Sequence, residues 1–588
     1  SDAASKKAFV NAVQQADIRF GGGQVLVDAQ LANFAPIQME STRPTIVFNT
    51  ILSSAGPAMA ATPNAFEDSN DRIGPEIRGN FLAGNSTNGL FVKIATAPGK
   101  PLETLDVAAR FKSTDIVYVL QENLVIAGGA GGYIQDVLAG PIKARPSGRL
   151  VIDPGVVVKS QGARIELERG ISQFIAEGQP NNRVVFTSLG DNRFGAGGTF
   201  DTNGNLSNKF GPDGLPIGTL ATGEWGGIIV NGGASASIDN AYIAFGGGST
   251  PIEGILDKFN VIEVHQGELR VANSRIEFNA DGEALTNRSG RGTNDAATIF
   301  VRGAQPIIVG NDFRNNGGSV VSINANSLSD VERPDVGRST GGLARYTQYD
   351  TNVGPLVAGN RLAYAAGGAA AIAGMTVRGE EITVESVWDD TDIVHVVQDE
   401  IIVNNFHTAT GLRLQSRPDA SLVVKLFGSD AGFTASGEAL DITDRIGGTV
   451  QVIGQPGFPV VLTSLRDDTI GASLDPIGLT VKDTNVDGSS TSPAPGDWRS
   501  VKFLPYSNDR NVAVMLEAEK THTGGVDTNN TPVTAQQIGV LAPNYATAGN
   551  TPESAQEKSG DEIRRLGFEI HGAISPDSPS DVDVYRFT

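Results

Sequence analysis

Short apolar and β-branched runs, each bounded by Gly, Pro, Asn or Asp, recur along most of the chain. Runs of this kind are typical of β-strands. They predict strands at residues 24–27, 45–48, 150–152, 156–158, 183–187, 298–301 and 307–309. Helical periodicity is scarce, and only residues 3–16 are predicted to form a short helix, capped by Ser1 or Asp2. The pattern therefore predicts an all-β protein.

The chain also repeats itself. TDIVYVLQENLVI at 114–126 returns as TDIVHVVQDEIIV at 391–403, which is 277 positions later. Four more pairs follow in the same order, at 44–47 and 306–309, 74–80 and 354–360, 184–192 and 460–468, and 223–227 and 496–500. We therefore predict two duplicated units, at about 24–250 and 287–516, because self-similarity at a long fixed period indicates a repeated architecture.

Many predicted strands end in Asn, followed within a few positions by an apolar residue. In a stack of parallel coils, Asn tolerates the left-handed backbone of a sharp bend, and its amide can bond to the Asn of the next coil. The alternative is that these are ordinary turn residues. The asparagines concerned are Asn49, Asn80, Asn240, Asn273, Asn311, Asn360 and Asn405.

Three segments, GRLVIDPGVVVK at 148–159, GARIEL at 162–167 and RVVFTS at 183–188, identify a fold class. They resemble the coils of right-handed parallel β-helix proteins found among large secreted and surface proteins of bacteria. The resemblance covers roughly residues 24–516 and implies a right-handed parallel β-helix, which does not carry one activity. Loops rich in Gly, Asp, Asn and Ser interrupt the pattern at 193–222, 281–294, 327–352 and 466–495. The first and last occupy corresponding places, so they are expected on the same side.

The domain organisation predicted from these patterns is a solenoid over residues 1–518, a linker at 519–560 and two strands within 561–588. The final strands, 566–574 and 581–588, resemble the opening of a bacterial pre-peptidase C-terminal (PPC) β-sandwich. Two strands are marginal alone. Either the chain is a fragment of a longer protein, or these strands complete a sheet of another subunit.

Composition narrows the possible partners. The formal net charge of −21 argues against nucleic acid and anionic membranes, and favours divalent cations. The absence of Cys excludes disulfides and thiol chemistry. No apolar run approaches the roughly 18–20 residues of a membrane span. The start lacks a signal-peptide pattern, so either a leader has been removed or the chain belongs to something longer.

Calcium is the metal that the motifs suggest. Asp483, Asn485 and Asp487, followed by Gly488, have the alternating spacing of oxygen ligands in a calcium loop. Position twelve is Ala494 rather than Glu, so Asp475, Asp497 or backbone carbonyls would have to complete the ligand set. A weaker counterpart in the first unit comprises Asp201, Asn203 and Asn205. The alternative at both places is a solvated, Asx-rich turn.

Other candidate groups favour structural roles. The run Asp389, Asp390 and Asp392 is interpreted as a solvated turn, because its counterpart is Lys112, Ser113 and Asp115. The five His residues lack zinc-site spacing. Trp225 and Trp498 occupy equivalent positions, which favours packing over sugar stacking. No catalytic residue is assigned.

The sequence thus favours a non-enzymatic, extracellular structural or adhesive segment of a bacterial surface, matrix or fibre protein, stiffened by calcium. Its terminal strands would link subunits. The alternatives are a carbohydrate-active enzyme, either lyase or hydrolase, and a glycan-binding adhesin.

Overall fold

In the computed structural model, β-strands form nearly all of the regular structure. The structure describes residues 11–588 other than 28–29, 70–71, 96–101, 130–132, 136–141, 145–146, 198–199, 205–207, 211–215, 219, 336, 341–352, 366–370, 405–410, 438–447, 506, 508–511, 518–528, 540–566 and 573–581. Among the described residues, the helical segments are short 3-10 turns at Pro63–Phe66, Arg288–Gly290 and Ala325–Ser327.

The strands of the amino-terminal part are β1 (Ala12–Gln14), β2 (Asp17–Arg19), β3 (Gly23–Val27), β4 (Gln30–Phe34), β5 (Ile37–Met39), β6 (Thr45–Val47), β7 (Thr50–Leu52), β8 (Pro57–Ala61), β9 (Asp68–Ser69), β10 (Arg72–Ile73), β11 (Glu76–Arg78), β12 (Phe81–Ala83), β13 (Thr87–Val92), β14 (Ala108–Phe111), β15 (Tyr118–Leu120), β16 (Leu124–Ile126), β17 (Tyr133–Gln135) and β18 (Ile142–Ala144).

The strands of the middle part are β19 (Arg149–Ile152), β20 (Val157–Ser160), β21 (Ile165–Leu167), β22 (Gln173–Glu177), β23 (Val184–Ser188), β24 (Asn208–Phe210), β25 (Pro216–Gly218), β26 (Ile228–Val230), β27 (Ser235–Asp239), β28 (Ala241–Ala244), β29 (Ser249–Ile252), β30 (Ile255–Lys258), β31 (Ile262–His265), β32 (Glu268–Ala272), β33 (Arg275–Glu277), β34 (Ala297–Arg302), β35 (Ile307–Val309), β36 (Asp312–Arg314) and β37 (Gly318–Asn324).

The strands of the carboxy-terminal part are β38 (Leu356–Ala358), β39 (Arg361–Ala363), β40 (Ala371–Arg378), β41 (Glu381–Ile382), β42 (Glu385–Trp388), β43 (His395–Val397), β44 (Glu400–Val403), β45 (Gly411–Gln415), β46 (Val423–Leu426), β47 (Gly428–Ala435), β48 (Thr449–Ile453), β49 (Val461–Ser464), β50 (Trp498–Phe503), β51 (Val512–Leu516), β52 (Gln536–Gly539), β53 (Gly567–His571) and β54 (Tyr585–Phe587).

These strands build an all-β parallel solenoid. The first long sheet has the order β39-β36-β33-β28-β23-β20-β15-β13-β8-β5, and the second long sheet has the order β16-β21-β26-β31-β34-β37-β40-β43-β46-β49. A seven-stranded sheet, β14-β19-β22-β27-β32-β35-β38, runs beside them. Coils such as β19, β20 and β21 give one strand to each of these sheets. Pairing within all three sheets is parallel, as in the pairs β19–β22, β20–β23 and β21–β26.

One apolar core runs through the stack. Because successive side chains in a strand point to opposite faces, alternate residues of each coil turn inward. Their contacts form a single cluster that begins at Ile37 and reaches Val486. A coil of this size cannot bury its apolar face alone, so stacking is what excludes water. The two predicted units therefore share one interior.

The strand pairing changes at two places, one in each predicted unit. β13 is the third strand of its coil, but it pairs with β15, which is the second strand of the next coil. Likewise β40, a third strand, pairs with β43, the second strand of the coil after it. A long loop reaches each place from a later coil. Thr202 O accepts the amide of Asn88 at 2.7 Å, and Thr484 O accepts that of Ala373 at 2.8 Å.

The change of pairing corrects one expectation. The loop 193–222 leaves between β23 of the first long sheet and β26 of the second. The loop 466–495 instead leaves between β49 of the second long sheet and β50, which belongs to the four-stranded sheet β41-β44-β47-β50. The two loops therefore leave from different sides of the stack, because each change moves the following strands by one sheet.

Four of the seven predicted asparagines bond from coil to coil, whereas Asn240 and Asn273 donate to Asp239 instead. Asn49 Nδ2 donates to Asn80 Oδ1 at 2.9 Å, and Asn311 Nδ2 donates to Asn360 Oδ1 at 3.1 Å. A further pair, Asn279 with Asn316, was not predicted. Asn405 lies outside the described residues.

The left-handed residue of each bend agrees with the prediction only in part. It is Asn itself at 240 and 273, with φ of 48° and 52°. At the four predicted asparagines that form pairs it is the preceding residue, namely Phe48, Gly79, Gly310 or Gly359, with φ between 59° and 65°. The preceding residue makes the bend in these cases, so that the Asn side chain can turn inward and bond along the stack.

Both ends of the chain differ from expectation. The helix predicted at 3–16 is wrong where it can be seen, because residues 12–14 form β1, which pairs with β6; residues 1–10 lie outside the described residues. At the other end, β53 pairs with β51 and β54 with β52, all within this chain. The predicted linker therefore contains a strand, β52, and the final strands have partners in the same chain.

Candidate metal centre

The predicted calcium motif lies in the loop between β49 and β50. This loop is held against the stack by Lys425, a fully buried residue of β46. Lys425 Nζ donates to the carbonyl oxygens of Asp467 and Lys482, both at 2.7 Å. Thr463 Oγ1 donates to Asp467 Oδ2 at 2.6 Å, and Ser464 Oγ to Asp497 Oδ2 at 2.5 Å. These contacts fix both ends of the loop.

Three carboxylates converge within this loop. One oxygen each of Asp468, Asp483 and Asp487 lies within 4.8 Å of the others, the one such acidic or His grouping found in the described part of the chain. The motif thus acquires a third carboxylate, Asp468, from the start of the loop, shortly after β49 ends at Ser464. Hard cations such as Ca²⁺ take oxygen ligands of this kind.

Asn485 belongs to the same group. Its Nδ2 donates to Asp487 Oδ2 at 2.8 Å, whereas its Oδ1 is buried and has no hydrogen-bond partner among the described residues. Asp468 Oδ1 is likewise buried without a partner there. A buried acceptor without a donor costs free energy unless a cation or a water satisfies it. These two oxygens are therefore available as ligands.

The charge balance supports the same interpretation. Burial raises the pKa of Asp468, and the neighbouring Asp483 and Asp487 raise it further. The hydroxyl of Thr491 lowers the pKa of Asp487. Burial lowers the pKa of Lys425 to about 8, although Asp468 and Asp467 oppose that shift. Lys425, the loop anchor, lowers the pKa of Asp468, and a bound divalent cation would relieve the repulsion that remains among the carboxylates.

Asp475 and Asp497, which were expected to complete the ligand set, accept hydrogen bonds elsewhere. Asp475 Oδ1 accepts the amides of Ile477 and Leu479 within its own turn, at 2.9 and 2.8 Å. Asp497 accepts Ser464 Oγ and the amide of Ala494. Asp468 is the carboxylate that instead lies beside the motif. The one signal that pointed to it was the repeat, since SLRDD at 464–468 matches SLGDN at 188–192 and differs by one carboxylate.

The counterpart in the first unit lacks this concentration of charge. Asp201 and Asn203 lie in the equivalent loop, whereas Asn205 is outside the described residues. Asn192 stands where the second unit has Asp468, and its Oδ1 is buried without a partner among the described atoms. The anchor is the same in kind, because Lys159 Nζ donates to the Phe200 carbonyl at 2.9 Å and its pKa is lowered by burial to about 8.

The acidic run before β43 is not a solvated turn, which corrects the prediction. Asp390 is buried and accepts the amide of Val357, and Asp392 Oδ2 accepts the amide of Gly359 at 3.1 Å. Asp115 Oδ2 accepts the amide of Gly79 in the same manner. Asp389 is half-buried, and burial raises its pKa to about 6.

The aromatic and His residues behave mainly as packing elements. Trp225 is 1% exposed and donates Nε1 to the Ala244 carbonyl of the next coil, while Trp498 is partly buried at the edge of the apolar core. His395 is fully buried and stacks on Trp388, with ring centroids 5.3 Å apart.

In comparisons with protein-family models, with curated proteins and with solved structures, nothing matches this chain. Among the described residues, no helix is both long and apolar enough to cross a membrane.

Proposed function

We propose that this chain is a non-enzymatic structural and adhesive segment of a large secreted bacterial surface or fibre protein. It would be a right-handed parallel β-helix made of two duplicated units. The observation that carries the proposal is the use of polar groups beneath the two long loops and before β15 and β43. Lys159 and Lys425, and the carboxylates of Asp115 and Asp392, are engaged in tying chain segments together rather than lining an open cleft.

Calcium is part of this proposal. Asp468, Asp483, Asp487 and the free Oδ1 of Asn485 would supply ligands, and water or carbonyl oxygens would complete the six to eight that Ca²⁺ takes. The cation would tie the start of the loop, at Asp468, to its later part. In the first unit, Asp201, Asn203 and Asn205 would form at most a weaker site, because fewer carboxylates are present.

Self-association through the terminal strands remains part of the proposal in a modified form. Since β53 and β54 pair within the chain, the contact between subunits would use the other edges of the sheets β51-β53 and β52-β54. Exposed strand edges favour pairing with another chain. A variant lacking residues 560–588 that still forms filaments would contradict this role.

A carbohydrate-active enzyme is the second candidate, favoured by one observation. Asp389 is half-buried, its Oδ1 has no hydrogen-bond partner among the described residues, and its pKa is raised to about 6. Such a carboxyl can act as a general acid near neutral pH. Glycan binding without turnover is the third candidate.

One assay separates these functions. The protein would be incubated with uronate and neutral polysaccharides, with calcium or with chelator, and the release of reducing ends and unsaturated products measured. We expect no turnover. Cleavage that is lost in the Asp389→Asn variant would establish the enzyme instead, whereas retention on a polysaccharide column without cleavage would indicate the adhesin.

A further inference from the structure

A column of polar side chains runs along the outer face of the second long sheet. His265 pairs with Arg302 in the β31–β34 register, and Asn324 pairs with Arg378 in the β37–β40 register. Val301 and Val377, which precede the two arginines, are buried in the core. Because side chains alternate along a strand, both arginines point outward. Adjacent coils lie roughly 4.8 Å apart, so the column spans several rungs.

The two guanidinium groups converge on one aromatic ring. Arg378 Cζ lies 4.3 Å and Arg302 Cζ 5.4 Å from the centroid of Phe300, which is fully buried. Arg378 Nη1 donates to Ser322 Oγ at 2.8 Å and Nη2 to the Val301 carbonyl at 2.6 Å. Arg302 Nη2 donates to the Thr293 carbonyl. Their positions are thus fixed by neutral partners.

Neither guanidinium forms an ion pair with a described carboxylate, with 4.0 Å as the limit. Arg288, which lies nearby, is only 1% exposed and uses Nη1 to bind both oxygens of Glu263, but its Nη2 has no partner among the described residues. Asp295, which accepts Ser322 Oγ, and Glu380 act on Arg378 at longer range, as Glu263 does on Arg302. Burial lowers the pKa of Arg378 to about 10, and burial and Arg288 lower that of Arg302.

Half-buried guanidinium groups without a carboxylate partner are costly, and an anion would offset that cost. The planar fork of arginine is suited to two oxygens of one oxyanion. We propose that Arg302 and Arg378, supported by Arg288, bind a single sulfate, phosphate or carboxylate group carried by an otherwise neutral ligand. A polyanion fits poorly, because the chain has a net charge of −21 and would repel it. This site is independent of the proposed calcium site.

The test measures binding of small oxyanions by calorimetry and thermal shift at constant ionic strength. The probes are sodium sulfate, sodium phosphate and sodium glucuronate, with sodium chloride and glucose as the references. The variants are Arg302→Gln and Arg378→Gln. Arg413→Gln is the matched control, since Arg413 is exposed on β45 and bonds to Gln451 at 2.9 Å, in a different sheet. The control also removes the general stabilisation that sulfate gives to any protein.

We expect at least one probe to bind the wild-type protein. Its affinity should fall at least tenfold in Arg302→Gln and in Arg378→Gln, and should be unchanged in Arg413→Gln. Preference for sulfate or phosphate would identify an ester group, and preference for glucuronate a uronate sugar. If Arg378→Gln does not fold, the more exposed Arg302→Gln and the charge-conserving Arg378→Lys carry the test. Equal responses in all variants, or no binding of any probe beyond chloride, would overturn the proposal.

Discussion

The two long loops, 193–222 and 466–495, are anchored to the stack by the same kinds of contact, but they differ in the side chains that they carry. Each has a buried lysine that donates to at least one loop carbonyl, a Thr–Asp bond at its start, and a carbonyl that accepts an amide of an earlier coil. The first loop rests on Tyr242, Phe245 and Phe278 of later coils. The second has a smaller apolar contact around Val396 and Leu465, and it carries the three clustered carboxylates.

The comparison indicates which features belong to the scaffold and which to a local site. Gly89 and Gly374 occupy equivalent positions under the loops, and a Cβ there would lie 2.9 Å from Val117 O and 2.8 Å from Val394 O. Such close approaches permit only glycine. Asp468, by contrast, corresponds to Asn192. The anchoring contacts recur because both loops must cross the stack, whereas the third carboxylate has no such requirement.

Removal of the lysine anchors should have the largest effect. Lys159→Met and Lys425→Met leave buried carbonyls without a donor, and each should lower the free energy of unfolding by about 3 kcal/mol. We expect the larger loss for Lys425, which serves two carbonyls where Lys159 serves one. Urea unfolding and limited proteolysis of each loop measure this. Losses below 1 kcal/mol in both variants would show that the loops do not depend on these bonds.

Calcium should separate the two loops. At a free calcium concentration one hundred times the Kd, binding should stabilise the protein by about 2.7 kcal/mol. Asp483→Asn and Asp487→Asn should abolish this gain, and Asp201→Asn, in the first loop, should retain it. Thermal unfolding in calcium and in chelator, with proteolysis mapped to each loop, gives the answer. A gain that survives in the Asp483→Asn variant would place the ion elsewhere.

The core position shared by Tyr118 and His395 should show a difference in pH dependence. Burial lowers the pKa of His395 to about 3. Below the ordinary His pKa of about 6.5, the unfolded chain binds a proton that the folded protein excludes, so stability falls with decreasing pH. Between pH 7 and 5 the loss should be about 2 kcal/mol.

His395→Phe should lack this loss, since a phenyl ring can also stack on Trp388, and Tyr118→Phe should leave the loss unchanged. Urea unfolding at several pH values measures it. An identical pH profile for the wild-type protein and His395→Phe would contradict the assignment of a neutral, buried imidazole.

The equivalent tryptophans should give the smallest effect. Trp225 is covered by the next coil and donates to Ala244, whereas Trp498 is only partly buried. Trp225→Phe should therefore cost about 1.5 kcal/mol and Trp498→Phe less than about 1 kcal/mol. Fluorescence-monitored unfolding of both variants tests the order. A larger cost for Trp498→Phe would mean that another element covers it.

The fold is predictable from the sequence because each coil of a solenoid contacts only its neighbours in the stack. Strand-length apolar runs, the repeated TDIVYVLQENLVI phrase and the asparagines at the bends each depend on neighbours one coil away. The sequence also predicts the motif of Asp483, Asn485 and Asp487 for a local reason, since these three residues lie within five positions of one another.

Only the tertiary structure determines which polar side chains meet when they are far apart in the chain. Asp468 joins the carboxylate group only because the later part of the loop folds back on its first residues. Asp390 is buried because Val357, one coil earlier, supplies an amide. Arg302 and Arg378 meet at Phe300 only through the register of three neighbouring coils. The residue pattern determines which side chains turn inward, but the stacking of coils determines which polar groups meet outside, because those contacts join residues far apart in the chain.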